Sequence, residues 1–143
     1  MPTHHDENCI FCKIINGDIP SHKVYEDDHV LAFLDIGPIA KGHTLVIPKH
    51  HAETIADLPE SEAAACGAVI PKIAAAVQKV TQCTAYNVLQ NNGKLAGQAV
   101  FHVHFHIIPR YDSETGLRYQ WAPGELDASD ATSLKQAITD AIG

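Results

Sequence analysis

His102-Val103-His104-Phe105-His106-Ile107-Ile108 alternates three histidines with apolar residues at a period of two. Strand geometry sends successive side chains to opposite faces. The spacing therefore predicts a strand over about residues 100–108 with three imidazoles on one face and Val103, Phe105 and Ile107 on the core face. Three such rings, in a chain with ten histidines, are more than a polar strand face needs. Metal chelation is one use for them. The outer two, however, lie roughly 13 Å apart at about 3.3 Å per residue, so one ion does not gather all three. Nucleophilic catalysis is another use: a neutral imidazole attacks through one nitrogen while an acceptor holds the other. A row of rings also suits an elongated ligand such as a phosphate chain.

The segment just upstream supports phosphate. Tyr86–Gln90 reads as a strand, and Asn91-Asn92-Gly93-Lys94-Leu95-Ala96-Gly97-Gln98 follows it. Asn-Gly by itself is a hairpin signal. Here the turn also delivers backbone N–H groups, two glycines and amide side chains next to the histidine strand, and N–H groups beside glycine commonly cradle phosphate oxygens.

These residues resemble the histidine triad family of nucleotide hydrolases and transferases, whose signature His-x-His-x-His-x-x with apolar x fits residues 102–108. Further blocks agree in order: Ile10–Ile15, Glu26–Asp28, Leu31–Ile36, Gly42–Pro48 and Gly97-Gln98. The likeness runs from about residue 8 to 111 and is nearest to the small bacterial nucleotide-binding, phosphoramidase-like branch. It implies that His104 is the nucleophile toward the α-phosphorus and forms a nucleotidyl-histidine. His106 would contact phosphate oxygens, His43 would stand as a fourth histidine beside the triad, and His102 would complete the catalytic row. Asp35 would take the ribose hydroxyls, Ile10, Phe11, Ile14, Phe33, Ile36 and Leu45 would sandwich the base, and Asn91, Gly97 and Gln98 would hold phosphate. The implied substrate is a purine nucleotide, an adenosine 5′-monophosphate ester or phosphoramidate. Cleavage of dinucleoside polyphosphates, or a nucleotide-binding regulator with weak turnover, are the alternatives. One position departs from many relatives: Ala99 stands where they carry a serine that assists the leaving group.

Cys9 and Cys12 form a Cys-x-x-Cys pair, which alone is a weak metal signal because a closed site needs two more ligands. The resemblance supplies them, since some branches bind structural zinc through such a pair, a downstream histidine and the first histidine of the triad. Here these would be Cys9, Cys12, His51 and His102, with His50 competing for the place of His51. Cys66 and Cys83 read as small core or partly exposed residues with no role.

At 143 residues the chain has the size of one domain, residues 1–143. Its net charge of −7 makes it a poor nucleic-acid binder. No leader-like apolar run and no membrane span stands out, which points to a cytoplasmic protein. The elements read as a short helix over Cys9–Asn16, strands at Lys23–Glu26, Val30–Asp35 and Thr44–Pro48, a long helix opened by Pro59, strands at about 86–90 and 100–108, and a final helix capped at Ser129-Asp130. The long helix carries an apolar stripe of Cys66, Ile70, Ile73, Val77 and Val80, and Pro71 predicts a kink. The expected fold is α+β: a five-stranded antiparallel meander with the long helix on one face, residues 1–8 as a flexible tail and 112–143 as a C-terminal extension. The resemblance adds a homodimer with the two sheets joined edge to edge.

Overall fold

The structure is a computed structural model that describes residues 5–143. Its core is a five-stranded antiparallel sheet in the order β1-β2-β3-β5-β4. The strands are β1 Lys23–Glu26, β2 Val30–Leu34, β3 Thr44–Pro48, β4 Ala85–Gln90 and β5 Phe105–Arg110; the helices are α1 Ile10–Ile15, α2 Glu60–Thr81 and α3 Ala128–Ile142. Asp27 closes the first hairpin, its Oδ1 accepting from the N–H groups of His29 and Val30 at 2.8 Å. The antiparallel sheet is as expected, but the meander holds only through β3. β5 is antiparallel to both β3 and β4, so β3 and β4 run parallel and α2 makes the crossover between them. β5 then fills the space left between them.

β2 and β3 bury both of their faces, which is why Val-Leu-Ala-Phe and Leu-Val-Ile show no alternation of apolar with polar residues. Val30, Ala32, Val46 and Ile107 meet α2 through Cys66, Val69, Ile73 and Ala74. Leu31, Phe33, Leu45 and Ile47 meet α1 through Phe11, Cys12 and Ile14. The buried stripe of α2 is thus rotated from the predicted one: Val69 and Ala74 are inside, Ile70 and Val77 flank them, and Val80 is exposed. Pro71 lies within α2 without ending it. By length and composition α2 could cross a membrane, which corrects the expectation that no segment would qualify. In this fold it lays its apolar stripe on the sheet.

The strand predicted over 100–108 begins only at Phe105. β3 pairs with β5 from Thr44↔Ile107 to Val46↔Phe105. Its next residues run into Pro48, which has no N–H to extend the ladder. The chain around Val103 bonds to the following loop instead, Val103 N–H donating to the Ala52 carbonyl at 2.8 Å. His106 is therefore the one triad histidine on a strand.

The expected tail over residues 1–8 is only partly described. Residues 1–4, including His4, lie outside the described residues, but Asp6 already packs: its N–H donates to Cys12 Sγ at 3.4 Å. The helix cap at the other end is Asp127 rather than Ser129-Asp130, its carboxylate accepting from the N–H groups of Ser129 and Asp130. None of the α3 residues is buried in the single chain.

Candidate active site

β5 and β3 decide what faces what. Leu45 sits opposite His106, and Leu45 belongs to the α1 side of the sheet, so His106 opens onto the α1 face. His43, two residues before Leu45, and Asp35, two after Phe33, share that side by strand alternation. His104 stacks edge-on to His106 with ring centroids 4.9 Å apart, and Phe11 from α1 meets His104 at 5.1 Å. Between α1 and the sheet lies a cavity of roughly 270 Å³ whose wall includes His104, His106, Asp35 and Ala99. All six residues expected to sandwich the base, Ile10, Phe11, Ile14, Phe33, Ile36 and Leu45, line it. Ile19, Pro20, Ser21, Leu34 and Val100 line it too and were not read from the sequence. Their only signal was position, just before one strand, at the end of another and just before the triad. A more polar hollow of roughly 560 Å³ lies elsewhere, among Asp6, Glu7, His50, His51 and Asp57, and touches neither His104 nor His106.

Backbone partners fix the tautomers of the histidines. His104 Nδ1–H donates to the His102 carbonyl at 2.7 Å, so the neutral ring carries its lone pair on Nε2. His102 Nε2–H donates to the Pro48 carbonyl at 2.8 Å, which turns its Nδ1 lone pair toward the cysteines. Ile39 N–H donates to His43 Nδ1 at 3.3 Å, so the proton of His43 sits on Nε2. That proton points to His106 Nδ1 at 2.9 Å, with Asp35 Oδ2 further off at 3.5 Å. His106, accepting on Nδ1, keeps its own proton on Nε2. Asp35, His43 and His106 also stand close enough to share a cation. Coordination through His43 Nε2 would force a proton onto Nδ1 against the Ile39 N–H, so these hydrogen bonds favour a proton chain. Burial first, then the neighbouring His104 and His43, hold the His106 imidazole down to about 4. Burial likewise lowers His43, with Asp35 opposing it. Both rings are neutral at pH 7.

The loop after β4 turns through Gly93 and Gly97, at φ 92° and 96°, around a short 3₁₀ turn at Lys94–Ala96. Such angles favour glycine. Gln98 is buried and fully engaged: its Oε1 accepts from Gly93 N–H at 2.7 Å, and its Nε2 donates to the carbonyls of Glu53 at 2.7 Å and Val100 at 3.0 Å. Its amide thus shapes the loop, with no free donor left for phosphate. Asn91 and Gly97 are neighbours, since a Cβ on Gly97 would lie 3.6 Å from Asn91 Nδ2, but neither lines the 270 Å³ cavity.

A second cluster sits behind the triad. Cys9, Cys12, His51 and His102 are all buried and present their ligand atoms within 4.8 Å of one another. Cys9 Sγ and His102 Nδ1 are 3.3 Å apart, Cys12 Sγ is 3.6 Å from His51 Nδ1 and 3.7 Å from His102 Nδ1, and the two Nδ1 atoms are 3.1 Å apart. A zinc tetrahedron with ordinary bond lengths has S···N edges of about 3.5 Å and N···N edges of about 3.3 Å. The two-sulfur, two-nitrogen set therefore fits zinc in donor type and in size. The gathered histidine is His51 and not its neighbour His50. Cys9 caps α1 and its sulfur accepts from Cys12 N–H at 3.3 Å, which is how the Cys-x-x-Cys turn forms. Asp6 Oδ2 stands 3.8 Å from His51 Nε2, the place of an outer carboxylate that orients a ligand imidazole. Burial pushes the unligated Cys12 thiol up to about 11, so a cation is what would favour its thiolate.

A five-stranded antiparallel sheet carrying this histidine row defines a class, and the comparisons agree with it. The HIT domain profile matches residues 16–113. The chain belongs to the HIT family. It is 55% identical over 118 residues to Protein hit of Bacillus subtilis, covering 82% of this chain and 81% of that one. It is 46% identical over 137 residues to adenosine 5′-monophosphoramidase HNT1 of Saccharomyces cerevisiae, covering 96% of this chain and 84% of the relative. The crystal structure of a HIT family protein from Bacillus anthracis superposes with a TM-score of 0.92 at 45% identity, covering 96% of this chain and 99% of that one.

Proposed function

We propose that this protein hydrolyses nucleoside 5′-monophosphate esters or phosphoramidates, an adenosine 5′-monophosphate derivative above all, through a nucleotidyl intermediate on His104. The observation that carries the reading is the His104 Nδ1–H bond to the His102 carbonyl, which frees the Nε2 lone pair beside an apolar cavity that also holds Asp35. The base lies in the cavity, the ribose hydroxyls donate to Asp35, and the α-phosphate rests against His104 and His106. The His104 Nε2 lone pair attacks phosphorus, the N–P bond forms and the P–X bond breaks. The leaving group departs with a proton from solvent, since Ala99 offers no hydroxyl. The His106 Nε2–H donates to a phosphoryl oxygen as charge builds there, and His43 holds that ring in the required tautomer. Water then attacks phosphorus, the N–P bond breaks, and nucleoside 5′-monophosphate and free His104 result. Kinship with a relative named an adenosine 5′-monophosphoramidase supports the substrate class.

Structural zinc on Cys9, Cys12, His51 and His102 belongs to the proposal. A closed four-ligand zinc contributes folding free energy and leaves no coordination position open for substrate. Homodimer formation belongs to it as well. β4 is an outer strand with Tyr86 and Val88 exposed, and Trp121, Leu134, Ile138 and Ile142 are also uncovered in the single chain. The test is turnover of adenosine phosphoramidates and diadenosine polyphosphates by wild type and His104→Ala. The proposal expects phosphoramidates to be turned over and His104→Ala to be inert. Wild-type rates in the variant would overturn it.

A further inference from the structure

One polar group in the cavity wall has no task in the reaction above. Ser21 lines the cavity, and its Oγ is buried without a hydrogen-bond partner among the described residues. A buried hydroxyl left unpaired is costly to the fold, so a native one calls for an explanation. Its place supplies one. β1 and β2 pair antiparallel with Lys23 opposite Phe33, and the His22 carbonyl accepts from Leu34 N–H at 3.0 Å. Continuing that register sets Ser21 across from Asp35, on the same side as Phe33, where directly opposed Cβ atoms lie about 4.5–5.5 Å apart. The Asp35 carboxylate is itself held in place, Oδ1 by Gly37 N–H at 2.8 Å and Oδ2 facing His43 Nε2.

A carboxylate can only accept. Two sugar hydroxyls that donate to it are left with oxygen lone pairs seeking a donor. A serine O–H is such a donor, and a serine side chain has three staggered χ1 positions to choose from. We infer that Ser21 is a second ribose-reading residue, its hydroxyl donating to a vicinal sugar hydroxyl whose proton goes to Asp35. The pair would select ribonucleotides by offering an acceptor and a donor to one diol. The inference rests on the nucleotide reading of the cavity.

The test measures binding of AMP and of 2′,3′-dideoxy-AMP to wild type and Ser21→Ala, together with each protein's melting temperature. In Ser21→Ala, AMP should weaken about three- to tenfold, the range of one neutral hydrogen bond. Dideoxy-AMP should bind as it does to wild type, and the melting temperature should hold or rise because an unpaired hydroxyl has gone. Equal weakening of both nucleotides would assign the hydroxyl to the base or the cavity wall and overturn the inference. Unchanged AMP binding would overturn it too. Failure of the nucleotide reading has a separate signature: wild type would then bind neither nucleotide.

Discussion

His104 and His102 show how two residues apart in sequence come to serve two different sites. Each is pinned by a backbone carbonyl, but through opposite nitrogens, so one presents Nε2 to the cavity and the other Nδ1 to the cysteines. Removing the neighbouring carboxylate should affect ligands selectively. Asp35→Ala should weaken AMP by about 10- to 100-fold, since a hydrogen bond to a charged group is worth about 1.5–3 kcal/mol, and should leave 2′,3′-dideoxy-AMP little changed. Equal losses in titration calorimetry would make Asp35 a purely structural residue. On the metal side, purified protein should carry about one zinc per chain, and Cys9→Ser and His102→Ala should both lose it while His106→Ala keeps it. Elemental analysis reads this directly; metal retained in both ligand variants would contradict it. These positions were legible because alternation, Cys-x-x-Cys spacing and resemblance each marked them. Gln98 was misread for a physical reason: an amide beside two glycines suits phosphate equally well, and only its three bonds within the fold show that it is already occupied.

At the scale of elements, most strands and helices were legible and their partners less so. β2 and β3 followed from short apolar runs bounded by turns, and β1 from its place before the Asp27-Asp28 turn. The start of β5 was not legible, because it depends on Pro48, at the end of β3 and far away in the chain, failing to extend the ladder. Nor was the position of β5 between β3 and β4, which follows from how α2 spans the sheet. The stripe on α2 was ambiguous because alanines such as Ala74 fill buried positions without marking a face. Gly42, which leads into β3, gives a test of packing at this scale. Its φ is 93°, and a Cβ there would lie 2.8 Å from Thr81 Cγ2 at the end of α2 and 3.3 Å from Pro109 Cγ in β5. Gly42→Ala should therefore cost about 1–3 kcal/mol through backbone strain and crowding. Chemical denaturation followed by circular dichroism measures it, and an unchanged midpoint would show that the α2–sheet contact yields freely.

Across the whole molecule, neutral buried imidazoles tie stability to pH. His106, and His102 when no metal is bound to it, are held down to about 4, by burial first. Unfolded histidine titrates near 6.5, so below that pH the unfolded chain binds protons that the folded chain refuses. Their contribution is complete above about pH 6.5 and is lost as pH falls toward 4. The melting temperature should drop over that window, and His106→Asn should flatten the drop; equal slopes in the two proteins would remove His106 from the balance. The central claim concerns chemistry on a single nitrogen. The measurement that reaches it most directly is rapid mixing with an adenosine phosphoramidate, an alkaline denaturing quench that preserves the acid-labile P–N bond, and peptide mass spectrometry. An adenylyl group on His104, formed and lost at rates that account for turnover and missing from His104→Ala, is the predicted result. Turnover with no adduct on His104, or with the adduct on another residue, would contradict it.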